Sequence, residues 1–126
     1  MKYISTRGGG TPQTFEQVLL TGLAPDGGLY VPAELPHFYQ EEIASWKSLS
    51  YPELALKIIS EFIGDEIPVQ ALRKIVIDSY AQFDHPEVAP LTELAENDFM
   101  LELYHGPTLA FKDFALQVLG RLLDYV

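Results

Sequence analysis

The chain has 126 residues, enough for one domain with a modest core, and its 48% hydrophobic and 12% aromatic content excludes a disordered chain. Eighteen acidic residues against eight scattered basic ones give a net charge of −10, which excludes a nucleic-acid face built on clustered Lys and Arg and instead favours solubility. The absence of cysteine excludes disulfides and thiolate zinc sites. No run of about 18 apolar residues is present to span a membrane. The first residues lack the basic-then-apolar form of a signal peptide, so the expected location is cytoplasmic.

In chain order, Lys2–Ser5 reads as a short strand and Arg7–Pro12 as a loop. The Gly8–Gly10 run within it fits neither a P-loop nor a dinucleotide fingerprint. Thr14-Phe15-Glu16-Gln17 has the form of a capping box opening a helix through Val18, Leu19 and Leu20, which Gly22 ends. Pro25-Asp26-Gly27-Gly28 is a turn into a short strand, Leu29–Val31, stopped by Pro32. A short helix is expected over Glu41–Trp46. Ser50-Tyr51-Pro52-Glu53 is a second capping box, with Pro where its missing N–H does no harm. The helix it opens turns Ala55, Ile58, Ile59, Phe62 and Ile63 inward, with Gly64 at its end.

Pro68 opens a further helix with Leu72, Ile75, Val76, Tyr80 and Phe83 on one face, ending before His85-Pro86. Pro90–Ala95 and Phe99–Tyr104 then form a hairpin around Glu96-Asn97-Asp98. The apolar run from Asp98 to Tyr104, with the single charge Glu102, predicts a buried strand. There is no internal repeat. Residues 1–88 read as a mostly helical region with short strands, and residues 89–126 as the start of an α/β region.

The most informative stretch is Leu103 to Ala115, a strand, tight loop and helix. Gly106 and Pro107 break the strand and Thr108 is placed to cap. Phe111, Phe114, Ala115, Val118, Leu119, Leu122, Leu123 and Val126 form an apolar stripe at helical spacing. That stripe continues to the last residue, so the chain reads as cut rather than finished. Lys112 and Asp113 stand off the stripe in the first turn. The positive end of a helix disfavours a cation and so favours the neutral amine, the form that attacks carbonyls and moves protons; Asp113 suits the same field. His37, His85 and His105 lack metal-ligand spacing, and no metal site is expected. Only His105 borders the lysine loop. No nucleophile-elbow sequence is present.

His105-Gly106-Pro107-Thr108-Leu109-Ala110-Phe111-Lys112-Asp113 resembles the pyridoxal-phosphate lysine segment of the threonine synthase family. Met1–Gly8 and Leu23–Pro32 resemble two further stretches of that family, in the same order, while the triple Gly8-Gly9-Gly10 departs from it. The resemblance implies an α/β fold: the N-terminal, largely helical portion of a tryptophan-synthase β-like (fold type II) enzyme, truncated just after the lysine helix. It implies that Lys112 holds pyridoxal 5′-phosphate and shuttles protons, and that the parts cupping the cofactor's phosphate and ring lie downstream. His105, Thr108 and Asp113 become cofactor-site candidates, and Arg7 a candidate for the substrate's anionic groups.

The implied reaction converts O-phospho-L-homoserine and water to L-threonine and phosphate. Two alternatives stand beside it. One is a related pyridoxal-phosphate lyase giving a 2-oxo acid. The other is a non-catalytic interaction or folding module, should 126 residues be the natural length. Residues 1–126 alone are expected to be inactive and to fray or self-associate through the Phe111–Val126 helix.

Overall fold

In the computed structural model, which describes residues 1–126, the chain runs β1 (Tyr3–Ser5), α1 (Phe15–Thr21), β2 (Tyr30–Pro32) and α2 (Gln40–Ser45). A 3₁₀ turn at Trp46–Ser48 leads to α3 (Tyr51–Ile63), and another at Gly64–Glu66 to α4 (Val69–Tyr80). The hairpin β3 (Leu91–Ala95) and β4 (Asp98–Leu101) precedes α5 (Asp113–Tyr125). The architecture is α/β, with the core supplied by helices.

Apolar residues at helical spacing on α3, α4 and α5 meet in one cluster. Ile63, Leu72, Ile75, Val76, Tyr80, Val118 and Leu122 are buried there with Ile67, Phe83 and Val88 from the connections. Phe15 and Leu19 bring α1 against it. Aromatic edges tie three helices together. Tyr51 meets Tyr80 at 4.9 Å and Phe114 at 6.0 Å between ring centroids, and Phe83 meets Phe114 at 4.9 Å. Side chains of this kind contribute roughly 1.5–3 kcal/mol each when fully buried.

The α4–α5 contact is close because Ser79 is small. Its fully buried hydroxyl lies 2.7 Å from the carbonyl of Ile75 and 3.0 Å from that of Gln117 on α5. The Tyr80 hydroxyl donates to the Phe114 carbonyl at 3.2 Å. The α5 stripe is therefore not bare. Phe114, Val118 and Leu122 face the core, while Phe111, Ala115, Leu119, Leu123 and Val126 are exposed.

Both sheets are two-stranded and antiparallel. β1 sets Tyr3 opposite Pro32 and Ser5 opposite Tyr30. Pro32 is the last residue of its strand, as the sequence suggested. The next ladder bond comes from the Ala33 N–H to the Lys2 carbonyl at 2.8 Å, so the N–H that proline lacks is not needed. The hairpin forms around Glu96-Asn97, with Asn97 at φ 60° as such turns favour. The expectation of a buried strand over Asp98–Tyr104 is corrected on two counts. β4 stops at Leu101, and every residue of β3 and β4 is exposed, because no layer covers either face.

Both capping positions are as expected from the sequence, and α1 carries a cap no local motif announces. The Thr14 N–H donates to Gln17 Oε1 at 2.9 Å, and the Ser50 N–H to Glu53 Oε2 at 2.9 Å. At α1, Glu66 accepts the N–H groups of Phe15 and Glu16, each at 3.0 Å, from fifty residues away. Burial alone would raise the Glu66 carboxyl, yet these two N–H groups and the Thr14 hydroxyl hold it below its usual value. Replacement Glu66→Ala should lower the unfolding free energy by about 1 kcal/mol, as loss of a helix cap does. A folded pKa below the unfolded one means the advantage of the native side chain is full above the ordinary carboxylate range. It is lost as pH falls through the folded value. Urea unfolding of both proteins at neutral and acid pH checks this; equal stability at neutral pH would refute it.

Candidate functional site

The loop between β4 and α5 is built around one carboxylate. Asp113, the first residue of α5, is only 1% exposed. Its oxygens accept the Thr108 N–H and the Thr108 hydroxyl, each at 2.8 Å. Thr108 therefore does not cap α5 as the sequence suggested. It serves the aspartate instead, and Lys112 occupies the N-cap position in αR geometry, φ −62° and ψ −23°. Burial by itself would raise the Asp113 carboxyl, but the donors of Thr108 and the Ala110 N–H hold it below the usual carboxylate range.

Gly106 is needed where it stands. A Cβ there would lie 2.4 Å from the Asp113 Cβ and 2.5 Å from Oδ2. The turn it opens is closed by the Leu109 N–H on the Gly106 carbonyl at 3.0 Å, with Leu109 in the left-handed region at φ 59°. This is why α5 starts at Asp113 and leaves Phe111 outside it.

His105 anchors the other end of the loop. Its Nδ1 lies 3.1 Å from Asp84 Oδ1 and its Nε2 lies 2.6 Å from Glu102 Oε2. With a carboxylate on each ring nitrogen, the imidazolium, a donor at both, is the state that satisfies the site. The Glu102 contact, joined by Asp84 and opposed by burial, raises the His105 pKa above its ordinary value. Glu102 is held down to about 2 by the Thr92 hydroxyl first, then by His105 and Tyr104. The backbone repeats the connection, since the Asp84 N–H donates to the His105 carbonyl at 3.0 Å.

Lys112 is exposed, and no hydrogen bond or ion pair reaches its amine. The loop therefore gathers Lys112, His105, Thr108 and Asp113, with the side chains of His105 and Asp113 already committed to protein partners. Arg7 is elsewhere, at the end of β1, where its Nη1 donates to the Asp26 carbonyl at 3.1 Å. Asp26 organises that loop much as Asp113 does its own. It accepts the Ser5 hydroxyl at 2.7 Å and the N–H groups of Gly28 and Gly9 at 2.9 Å. The Ser5 contact leads these in lowering its pKa. No hydrogen bond joins the Arg7 loop to the Lys112 loop. Sequence reasoning missed Asp84 and Glu102 as partners of His105, and Thr92 as the partner of Glu102. A lone charge inside an apolar run, as Glu102 is, was the available signal, since such a charge needs a partner.

Comparison with known proteins matches the whole chain to one group. A family model described as the threonine synthase N terminus matches residues 2–80. A threonine synthase of Pseudomonas aeruginosa is 57% identical over 126 residues, 100% of this chain and 27% of that protein. One from Schizosaccharomyces pombe is 47% identical over 99% of this chain and 24% of its own length. Among solved structures, PLP-bound threonine synthase from Brucella melitensis superimposes with a TM-score of 0.97 at 49% identity, covering 99% of this chain and 27% of that one. The chain thus spans about a quarter of the length of these relatives.

The His105 geometry carries a pH prediction. A raised folded pKa means that the stabilisation from charged His105 is fully present below the unfolded value near 6.5 and is lost as pH rises through the folded value. Ring-proton NMR should place His105 above an ordinary histidine, and Glu102→Gln should bring it down. An unshifted His105 in the parent protein would contradict the clamp.

Proposed function

Because this chain belongs to the threonine synthase family, we propose that Lys112 is the residue that carries pyridoxal 5′-phosphate in an enzyme converting O-phospho-L-homoserine and water to L-threonine and phosphate in the cytoplasm. The observation that carries the proposal is the free amine of Lys112. It is an exposed, unpaired lysine at the start of a core-packed helix, within the stretch that resembles the family's pyridoxal-phosphate lysine segment.

The residues present suit the cofactor at that one point. An amine at the positive end of a helix, with no carboxylate paired to it, is available to bond covalently to an aldehyde. When bound, the cofactor supplies an electron sink for carbanion chemistry. The chain's part is to hold the cofactor at Lys112 Nζ and, through the same amine, to take up and return protons at the substrate's carbons. In this reading residues 1–88 support the site and residues 89–126 begin the catalytic region. The 126 residues alone do not turn over substrate.

Arg7 is proposed to bind an anionic group of the substrate. One of its guanidinium nitrogens is engaged with the Asp26 carbonyl, and the others remain to meet a phosphate or carboxylate.

Lys112→Ala in the holoenzyme should abolish covalent cofactor attachment and turnover while leaving the fold intact. Borohydride reduction followed by peptide mapping tests it, and label on any other lysine in the parent enzyme would overturn the assignment. Arg7→Ala should raise KM for phosphohomoserine by about tenfold, the size expected for a lost charged hydrogen bond. Unchanged steady-state constants would leave Arg7 a tether of its own loop.

A further inference from the structure

We infer that Asp113 is a positioning residue: its buried carboxylate, gripped by Thr108, fixes the loop so that the neighbouring Lys112 amine is presented free to its cofactor. The inference rests on the reading of Lys112 given above.

Three observations carry it. First, Asp113 cannot serve Lys112 or a ligand directly as it stands. It is 1% exposed, both oxygens are taken by Thr108, and no ion pair joins it to Lys112. Second, its neighbour's direction follows from its own. Lys112 has helical dihedrals, and successive residues of a helix are about 100° apart around the axis. With Asp113 pinned inward, Lys112 is committed to the flank and not to the core. Third, the loop has no slack. Gly106 lies against the aspartate with no room for a methyl, Leu109 is held in the left-handed region, and the Asp113 N–H closes a turn on the Ala110 carbonyl at 3.0 Å. The carboxylate is the one group that touches both Gly106 and Thr108 at the loop's start and belongs to α5 at its end. α5 in turn is fixed to α4 through Ser79 and Tyr80. Removing the charge or the hydroxyl frees the lysine's backbone without touching its amine.

The test uses the holoenzyme and three variants, Asp113→Asn, Thr108→Val and Thr108→Ser. Borohydride labelling of Lys112 is followed by peptide mapping, with kcat and KM measured beside it and circular dichroism as the check on folding. Asp113→Asn and Thr108→Val should slow labelling of Lys112 and lower kcat by about tenfold or more, since a small misplacement of a reacting group has effects of that order. KM should change little. Thr108→Ser keeps both donors and should restore labelling to within about twofold. Labelling at the parent rate in Thr108→Val, or equal loss in Thr108→Ser and Thr108→Val, would overturn the inference even if Asp113→Asn does not fold. No label on Lys112 in the parent enzyme would overturn the underlying reading and this inference with it.

Discussion

The seam between α4 and α5 is the contact from which the candidate site takes its position. Ser79 is buried and small enough to let the α5 backbone approach until its hydroxyl reaches the Gln117 carbonyl. One turn away, Tyr80 reaches the Phe114 carbonyl, and Val118 and Leu122 fill the space behind. An alanine at position 79 would keep the approach but leave the Gln117 carbonyl without that donor; a larger residue would push α5 outward. Because α5 begins at Asp113, any shift along this seam moves the lysine loop with it. A site held on a rigid element keeps its geometry more precisely than one on a free loop.

Carboxylates do the local work at the loops. Asp26, Glu66, Glu102 and Asp113 each sit among hydroxyl or N–H donors, and each is held below its ordinary pKa. The net charge of −10 is therefore not only a solubilising surface. Four of the acids are structural anions that close turns, cap a helix or clamp a histidine. Two of them press against glycines: Asp26 on Gly9 and Gly28, Asp113 on Gly106. The Gly9 of the triple-glycine run thus has a reason at its own position, which is room for a carboxylate and not for a phosphate.

Local signals in the sequence carried most of the helical structure. Thr14, Ser50 and Pro68 mark helix starts, and Gly22 and Gly64 mark ends, because each acts through bonds and dihedrals within a few residues. What was not legible depends on residues distant in sequence or on what covers a surface. The Glu66 cap on α1 spans fifty residues, and Asp84 meets His105 across twenty-one. The β3–β4 hairpin was visible as two strands, but an apolar run does not say whether a second layer lies over it. Val88 is a different failure. It is a buried β-branched residue at φ 61°, with the Ala89 N–H reaching back to the Glu87 carbonyl, and propensity argues against that backbone. At the candidate site, the motif singled out Lys112 in the sequence, while the contacts of Thr108 and Asp113 with each other emerge only from their geometry.

The width of the α5 stripe has its own explanation. A helix resting on one layer needs a single apolar line, and here Phe114, Val118 and Leu122 supply it at four-residue spacing. Leu116, Leu119 and Leu123 form a second line that is exposed. An open, wholly apolar groove lies between α1, α3 and α5, lined in part by Phe15, Leu19, Phe62 and Leu119. A helix apolar on two sides is suited to lie between two layers, and the exposed hairpin has the same character, with Leu91, Leu94, Phe99 and Leu101 uncovered. Covering such side chains would add roughly 1.5–3 kcal/mol for each one fully buried. The same burial would exclude water beside the lysine loop, where a drier surround strengthens every electrostatic contact of a reacting amine. The second apolar face of α5 thus bears on the surroundings of Lys112, the residue proposed to carry the cofactor, as well as on the stability of the helix that follows it.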